Sequence, residues 1–238
     1  MPLQVDWEGV FPAIPTQFKE DLSVDIEATQ KHTEALVNNG IHGIVMLGTI
    51  GEGTSLTLSE KVEVLRATVE VAGGKVPVLS GVAEFTTQGA CDTVKAAGEA
   101  GVDGIMLLPA MVYKSDARET IAHFRTVAES THLPIMCYNN PPVYRVDITP
   151  EMFKELIDIE NIVVIKEASG DVRRITELFN ALNDRFLIFA GLDDVALESF
   201  MLGCTGWISG LVDAFPRENR ALWDAAMSGD YERALEIY

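Results

Sequence analysis

The feature that most constrains the fold is a regular alternation of short apolar runs with longer amphipathic segments. The runs in this 238-residue chain are GVFPAI, GIVMLG, VPVLSG, GIMLLP, LPIMCYN, IVVIKEA, FLIFAG and TGWISG. Apolar strands that alternate with helices indicate a parallel sheet covered by helices. Eight such units over this length favour an α/β fold, a single (β/α)8 TIM barrel spanning residues 1–238. The last segment, PRENRALWDAAMSGDYERALEIY, predicts the eighth helix.

Charge and composition narrow the kind of partner that the chain can have. The net charge is −18, with 18 Lys and Arg against 36 Asp and Glu, and such a surface repels nucleic acid and anionic membranes. No apolar run reaches the ~18 residues of a membrane span, and MPLQVDWEGV does not resemble a secretory signal. Cys91, Cys137 and Cys204 lie far apart, which is typical of reduced core thiols. We therefore expect a cytoplasmic protein whose partner is a small molecule. We also expect no cofactor and no metal site built from the cysteines.

A lysine at the end of one apolar run suggests chemistry. In a TIM barrel the functional residues lie at the carboxyl ends of the strands. The stretch VVIKEASGD carries a buried strand directly into Lys166, and burying an ammonium is costly unless it is paired or deprotonated. Tyr138 ends the fifth run, and Thr49 follows the second. These three side chains are predicted to point into one mouth of the barrel.

This combination suits imine chemistry. A desolvated lysine keeps a neutral, nucleophilic amine, which forms a Schiff base with a ketone. A tyrosine hydroxyl oriented by a threonine can then shuttle protons. The glycine-rich turn at Gly48, Thr49 and Ile50 exposes N–H groups that can bind a carboxylate. A 2-keto acid is the ligand expected for this set.

Each of these residues also has a structural interpretation. Lys166 could be a surface residue with a buried stem, Tyr138 a core aromatic, and Thr49 a helix cap. Asp193 and Asp194 fit the first turn of a helix better than a metal site. The other strand ends supply further candidates for contact with the substrate, namely Gly191, Ser209 and Tyr113.

Three motifs resemble signatures of one enzyme family. GTIGE near residue 50, YNNPP at 138–142 and IKEASGD at 165–171 are similar to motifs of the dihydrodipicolinate synthase / N-acetylneuraminate lyase family. The resemblance implies metal-free, class I Schiff-base chemistry on 2-keto acids. It implies that Lys166 forms the imine, that Tyr138 shuttles protons, and that Thr49 hydrogen-bonds Tyr138. It also implies a homo-oligomer, usually a tetramer. Members of the family usually carry a C-terminal helical appendage, which we expect to be absent here.

The sequence departs from the synthase branch of this family at several positions. Ile50 replaces a second threonine, and Ala110 and Met111 occupy the places of a tyrosine pair, of which one member extends the proton relay across a dimer interface. Val143 replaces an arginine that grips the carboxylate of the second substrate. The nearest tyrosine and arginine are Tyr113 and Arg145. Because a bidentate arginine is not easily replaced, these departures argue against the lysine-pathway condensation.

The sequence more closely resembles a different branch of the family. WEGVFPAIPTQF, LLPAMVY, YNNPPVYRVDITP and AGLDDVALES are similar to Δ1-pyrroline-4-hydroxy-2-carboxylate deaminase. This branch implies conversion of the imino acid to 2-oxoglutarate semialdehyde in hydroxyproline breakdown. The alternatives are a dihydrodipicolinate synthase-like enzyme, an aldolase or dehydratase of 2-keto-3-deoxy sugar acids, and a keto-acid-binding barrel without turnover.

Overall fold

The computed structural model describes residues 3–238 and contains one sheet of eight parallel strands. The strands are β1 (Gly9–Pro12), β2 (Ile44–Met46), β3 (Val78–Val82), β4 (Gly104–Leu107), β5 (Ile135–Asn139), β6 (Ile162–Glu167), β7 (Leu187–Ala190) and β8 (Gly206–Ser209). The order is β1-β8-β7-β6-β5-β4-β3-β2. A parallel bridge between Ala13 and Val45, with a 3.0 Å hydrogen bond from Ile14 N to Val45 O, joins the two ends of the sheet. The predicted TIM barrel is confirmed.

Helices follow the strands and cover the outside of the sheet. Their bounds are α1 (Ile26–Asn38), α2 (Leu58–Ala72), α3 (Thr87–Ala100), α4 (Ala117–Glu129), α5 (Pro141–Tyr144), α6 (Pro150–Lys154), α7 (Arg173–Leu182), α8 (Ala196–Met201), α9 (Pro216–Met227) and α10 (Tyr231–Ile237). Capping boxes begin α2 at Thr57 and α4 at Asp116, because the cap and the third helical residue satisfy each other's backbone N–H groups.

The C-terminal segment differs from its prediction as a single helix. It forms α9 and α10, which are separated at Gly229. Gly229 has φ of +80°, a conformation that ends helices and that glycine adopts at little cost. Asp230 then caps α10 by accepting a hydrogen bond from Arg233 N.

Two apolar layers explain why the strands read as nearly continuous apolar runs. One layer fills the barrel interior, and the other packs between the sheet and the helices. Inside the barrel, the rings of Phe11 and Phe189 meet edge to face at 5.4 Å. Gly206 makes room for the Phe189 ring, since a Cβ there would lie 2.3 Å from Cζ of Phe189. Strands buried on both faces need few polar residues, so a charged residue within one is unusual.

Two further expectations concern the cysteines and the membrane. Cys91, Cys137 and Cys204 are buried and unpaired, as predicted. Within residues 3–238, no helix is long and apolar enough to cross a membrane.

Candidate active site

Lys166 and Tyr138 face each other from neighbouring strands. The register of β5 and β6 pairs the two residues, and Lys166 Nζ lies 3.6 Å from the centroid of the Tyr138 ring. Lys166 is only 4% exposed, and its Nζ is 3.8 Å from Met106 Sδ. Lys166 is therefore not a surface residue. It lies inside the barrel at the carboxyl end of the sheet.

Burial sets the protonation of this lysine. Loss of hydration lowers the pKa of Lys166 from 10.5 to about 7, and the charge of Asp193 partly opposes this shift. An amine with that pKa is about half deprotonated near pH 7. The neutral fraction is nucleophilic, so the side chain can attack a carbonyl carbon without a separate base.

The hydroxyl of Tyr138 is oriented by Asn140. Asn140 Nδ2 donates to the Tyr138 hydroxyl at 3.0 Å, and Asn140 Oδ1 accepts from Val143 N at 3.2 Å. Because the amide oxygen is held by the backbone, the amide nitrogen must face the tyrosine. Tyr138 is 7% exposed, and burial raises its pKa. Its proton therefore stays on the oxygen at neutral pH and is free for donation.

The predicted partner of Thr49 is wrong. Thr49 Oγ1 is hydrogen-bonded to the hydroxyl of Tyr144, not to that of Tyr138. Asn140 caps the four-residue helix α5, which brings Tyr144 back against Tyr138. The two rings meet edge to face at 5.5 Å. Tyr144 thus lies between Thr49 and Tyr138.

Tyr144 is a site residue that the sequence analysis missed. Burial raises its pKa, and the nearby Tyr138 raises it further, while the bond to Thr49 lowers it. The available signal was the one-turn helix that an asparagine followed by two prolines can begin. A tyrosine at the end of that turn returns toward Tyr138, two residues before the asparagine.

The turn after β2 supplies unpaired backbone N–H groups. Gly48 is buried, and a Cβ there would lie 3.2 Å from Met106 Cε. Thr49 and Ile50 are exposed. Their backbone N–H groups make no hydrogen bond with any residue between 3 and 238. This turn can therefore bind an anionic group of a ligand at the mouth.

In the described chain, the other three residues predicted to contact the substrate make no hydrogen bond to Lys166, Tyr138 or Thr49. Gly191 N donates to Glu167 O at 2.8 Å, and buried Ser209 Oγ accepts from Val212 N at 3.1 Å. The Tyr113 hydroxyl donates to Glu119 Oε1 at 2.9 Å on an exposed surface. Across residues 3–238, none of the three hydrogen-bonds to Lys166, Tyr138 or Thr49. Their contact with a substrate remains a prediction.

A buried polar network holds the ends of β5 and β6 together. Asn139 Nδ2 donates to Glu167 Oε2 at 2.9 Å, and Asn139 Oδ1 accepts from Ile148 N at 2.9 Å. Glu167 Oε1 accepts from Ser169 N at 2.5 Å. Asn139 and Glu167 directly follow Tyr138 and Lys166 in sequence. The network therefore fixes the strand ends that carry the reactive pair.

Two carboxyl groups lie at the ends of β7 and β8. Asp193 Oδ2 accepts from Leu211 N at 3.1 Å, and Asp193 Oδ1 is buried without a partner in the described chain. Burial raises the pKa of Asp213 to about 8, and the charge of Asp193 contributes to this. Asp213 is therefore largely protonated at neutral pH. The charge of Asp193 also raises the pKa of Lys166, against the larger effect of burial.

The fold and site define a TIM-barrel enzyme with a buried lysine of lowered pKa at its carboxyl end. The chain belongs to the dihydrodipicolinate synthetase family, whose pattern matches residues 6–238. It is 35% identical over 235 residues to the 4-hydroxy-tetrahydrodipicolinate synthase of Desulforamulus reducens, covering 98% of this chain and 79% of that protein.

Solved structures agree with this family assignment. The dihydrodipicolinate synthase of Aquifex aeolicus superposes with a TM-score of 0.93 at 35% identity, covering 97% of this chain and 79% of that one. A chloride-inhibited dihydrodipicolinate synthase from Acinetobacter baumannii, solved with pyruvate, gives 0.92 at 31% identity, covering 97% and 79%.

These relatives test some of the predictions that were made from the sequence. Membership of the family is confirmed, and the chain is an enzyme of a lyase family. A closest relationship to the hydroxyproline-pathway deaminase is not confirmed, because the relatives named above carry the name of the synthase. That name corresponds to one of the alternatives given above.

Proposed function

We propose that this enzyme forms an imine between Lys166 and the C2 carbon of a small 2-oxo or cyclic 2-imino acid. The observation that carries the proposal is the burial of Lys166 against Tyr138, with a pKa lowered to about 7. A lysine of this kind supplies a nucleophile at neutral pH, and its iminium withdraws electrons from the neighbouring carbon.

Tyr138 is the proposed proton donor for imine formation. Attack of the amine gives a carbinolamine, whose hydroxyl leaves as water once it is protonated. The Tyr138 ring covers Lys166 Nζ, and its hydroxyl accepts from Asn140, so its own proton is available. General acid catalysis of this kind contributes about 10²–10⁴-fold to a rate.

The proposed contact for the substrate carboxylate is the turn after β2. The unpaired N–H groups of Thr49 and Ile50 lie at the mouth near Gly48. Two backbone donors can hold one carboxylate without a cationic side chain. This arrangement suits a substrate with its carboxylate next to the reacting carbon.

The relatives favour the synthase reaction. Under this candidate, Lys166 takes pyruvate as its 2-oxo acid, and the enamine that forms attacks an aldehyde. The support is the name of the relatives at 35% identity and the pyruvate complex of the Acinetobacter protein.

Three residues favour the deaminase as a second candidate. Val143 is exposed at the position where the synthase branch, by the resemblance described above, has an arginine. Ala110 and Met111 stand in place of the tyrosine pair and provide no phenol. A cyclic imino acid with one carboxylate needs neither group. Lys166 would open the ring by transimination, and the iminium would acidify C3 so that the C4 hydroxyl leaves. Hydrolysis would release ammonia and 2-oxoglutarate semialdehyde.

A paired turnover assay tests the proposal. One arm measures condensation of pyruvate with the aldehyde substrate of 4-hydroxy-tetrahydrodipicolinate synthase, and the other measures ammonia release from Δ1-pyrroline-4-hydroxy-2-carboxylate. We expect turnover in one arm, lost in Lys166→Ala and kept in Lys154→Ala, an exposed-lysine control. Turnover only with 2-keto-3-deoxy sugar acids would replace both candidates. Turnover that survives Lys166→Ala would refute the role of the lysine.

A further inference from the structure

We propose that Tyr144 links Tyr138 to Thr49 in a proton relay that is complete within one protomer. The inference rests on the proposed imine chemistry of Lys166. It assigns to Tyr144 a role that a partner-subunit tyrosine would otherwise have to supply. The geometry that carries it is the contiguous set of Thr49, Tyr144, Tyr138 and Lys166.

The relay runs from solvent to the buried amine. Thr49 is exposed at the mouth, Tyr144 is half-buried, and Tyr138 and Lys166 are buried. The Thr49 hydroxyl is bonded to Tyr144, whose ring packs against Tyr138, and the Tyr138 ring lies over Lys166 Nζ. Burial increases at each step, so direct access of water to the amine is restricted.

The hydroxyls are in the protonation state that a relay requires. Burial raises the pKa of both Tyr138 and Tyr144, and each phenol also affects the pKa of the other through their hydroxyls. Both are therefore neutral near pH 7, and each can give a proton on one side and take one on the other. Asn140 donates to Tyr138 and so leaves the proton of Tyr138 free to move.

Each transfer conserves protons and charge. Tyr138 donates its proton to the departing hydroxyl of the carbinolamine, the C–O bond breaks, and water forms. Tyr138 takes the proton of Tyr144, Tyr144 takes that of Thr49, and Thr49 takes one from solvent at the mouth. The positive charge stays on the iminium. Hydrolysis of the product imine runs the same chain in reverse.

Tyr113, the tyrosine nearest in sequence to Ala110 and Met111, forms its hydrogen bond elsewhere. Tyr113 is exposed, and its hydroxyl donates to Glu119 in the first turn of α4. In the part of the chain that the structure describes, it makes no hydrogen bond to Tyr144 or Tyr138 and no ring contact with either. A relay through Tyr144 therefore needs no movement of the loop that carries Tyr113.

Hydroxyl-deletion variants test the relay. Tyr144→Phe and Thr49→Val remove one hydroxyl each and preserve the packing, and Tyr231→Phe on α10 is a matched control. For both site variants we expect kcat to fall by about 10²-fold, the lower end for acid–base catalysis, with KM changed little. The single-turnover rate of imine formation, measured by borohydride trapping, should fall in parallel.

The double variant separates a relay from two independent structural effects. Residues that act as one unit give non-additive losses, so Thr49→Val with Tyr144→Phe should lose no more than either single variant. Losses that multiply, or a Tyr144→Phe rate equal to that of Tyr231→Phe, would overturn the relay. If the wild-type enzyme traps no 2-oxo acid at all, the imine proposal fails first and the relay fails with it.

Discussion

At the scale of single residues, the decisive feature is that burial lowers the pKa of Lys166 to about 7, so that much of the amine is neutral near pH 7. The sequence identifies it because a lysine inside an apolar strand has few structural explanations. Tyr138 is found for a related reason, since it lies one residue before the end of the neighbouring strand. Tyr144 could not be found in this way, because its position depends on the turn geometry that Asn140 imposes on α5.

The pH profile should report the charge next to the lysine. Asp193 raises the pKa of Lys166 against the larger effect of burial. Asp193→Asn removes that charge, so the pKa of Lys166 should fall. Because activity requires the neutral amine, the acidic limb of kcat/KM against pH should move to lower pH. Asp194→Asn, an exposed neighbour, is the control and should leave the limb in place. A limb that stays or moves upward in Asp193→Asn would show that Asp193 does not act on Lys166.

At the scale of elements, the positions of the strand ends depend on polar contacts. The periodicity of apolar residues in the sequence does not predict these contacts. All eight strands are predictable from the apolar runs, since each strand is buried on both faces. The Asn139–Glu167 contact is not predictable in detail, because it depends on the register between β5 and β6. The break between α9 and α10 depends likewise on a single positive φ at Gly229.

Glu167→Gln should loosen these strand ends. Both oxygens of Glu167 accept hydrogen bonds, from Asn139 Nδ2 and Ser169 N. A glutamine would turn an NH2 group toward one of the two donors and leave it unsatisfied. The free energy of unfolding should fall by about 1–3 kcal/mol, measured by urea denaturation. Glu177→Gln alters an exposed carboxylate on α7 and should change it by less than about 0.5 kcal/mol. Equal effects of the two variants would contradict the network's role.

At the scale of the whole molecule, the buried acid Asp213 links stability to pH. Its pKa is about 8 in the folded protein and 3.8 in its ordinary state. Between these values the folded state holds a proton that the unfolded state has lost. The free energy of unfolding therefore falls as pH rises through this window.

Asp213→Asn should remove that dependence. The variant cannot ionise, so its stability relative to the wild type should increase from pH 5 to pH 9, measured by urea denaturation. Asp92→Asn changes an exposed carboxyl group on α3 and should leave the pH dependence of the wild type intact. A constant difference between Asp213→Asn and wild type over this range would contradict the shifted pKa.

We expect a homo-oligomer, as the resemblance to the family implies, and its contacts are expected among exposed apolar side chains that follow the strands. Large hydrophobic residues are solvent-exposed after several strands, namely Ile50, Phe85, Val112, Val143, Leu211 and Phe215. Where such side chains lie together, they form a surface suited to contact between subunits. We expect light scattering to give a molar mass of at least twice the 26.0 kDa of one chain. Val112→Glu with Val143→Glu should lower it, and a wild-type mass of one chain would refute the oligomer.

The most direct test of the central claim is borohydride reduction in the presence of pyruvate and longer 2-oxo acids, followed by peptide mass mapping. We predict one substrate-derived adduct per chain, located on Lys166. It should be lost in Lys166→Ala and retained in Lys154→Ala. An unmodified Lys166 with every acid in the panel, or an adduct on another lysine, would contradict the imine mechanism.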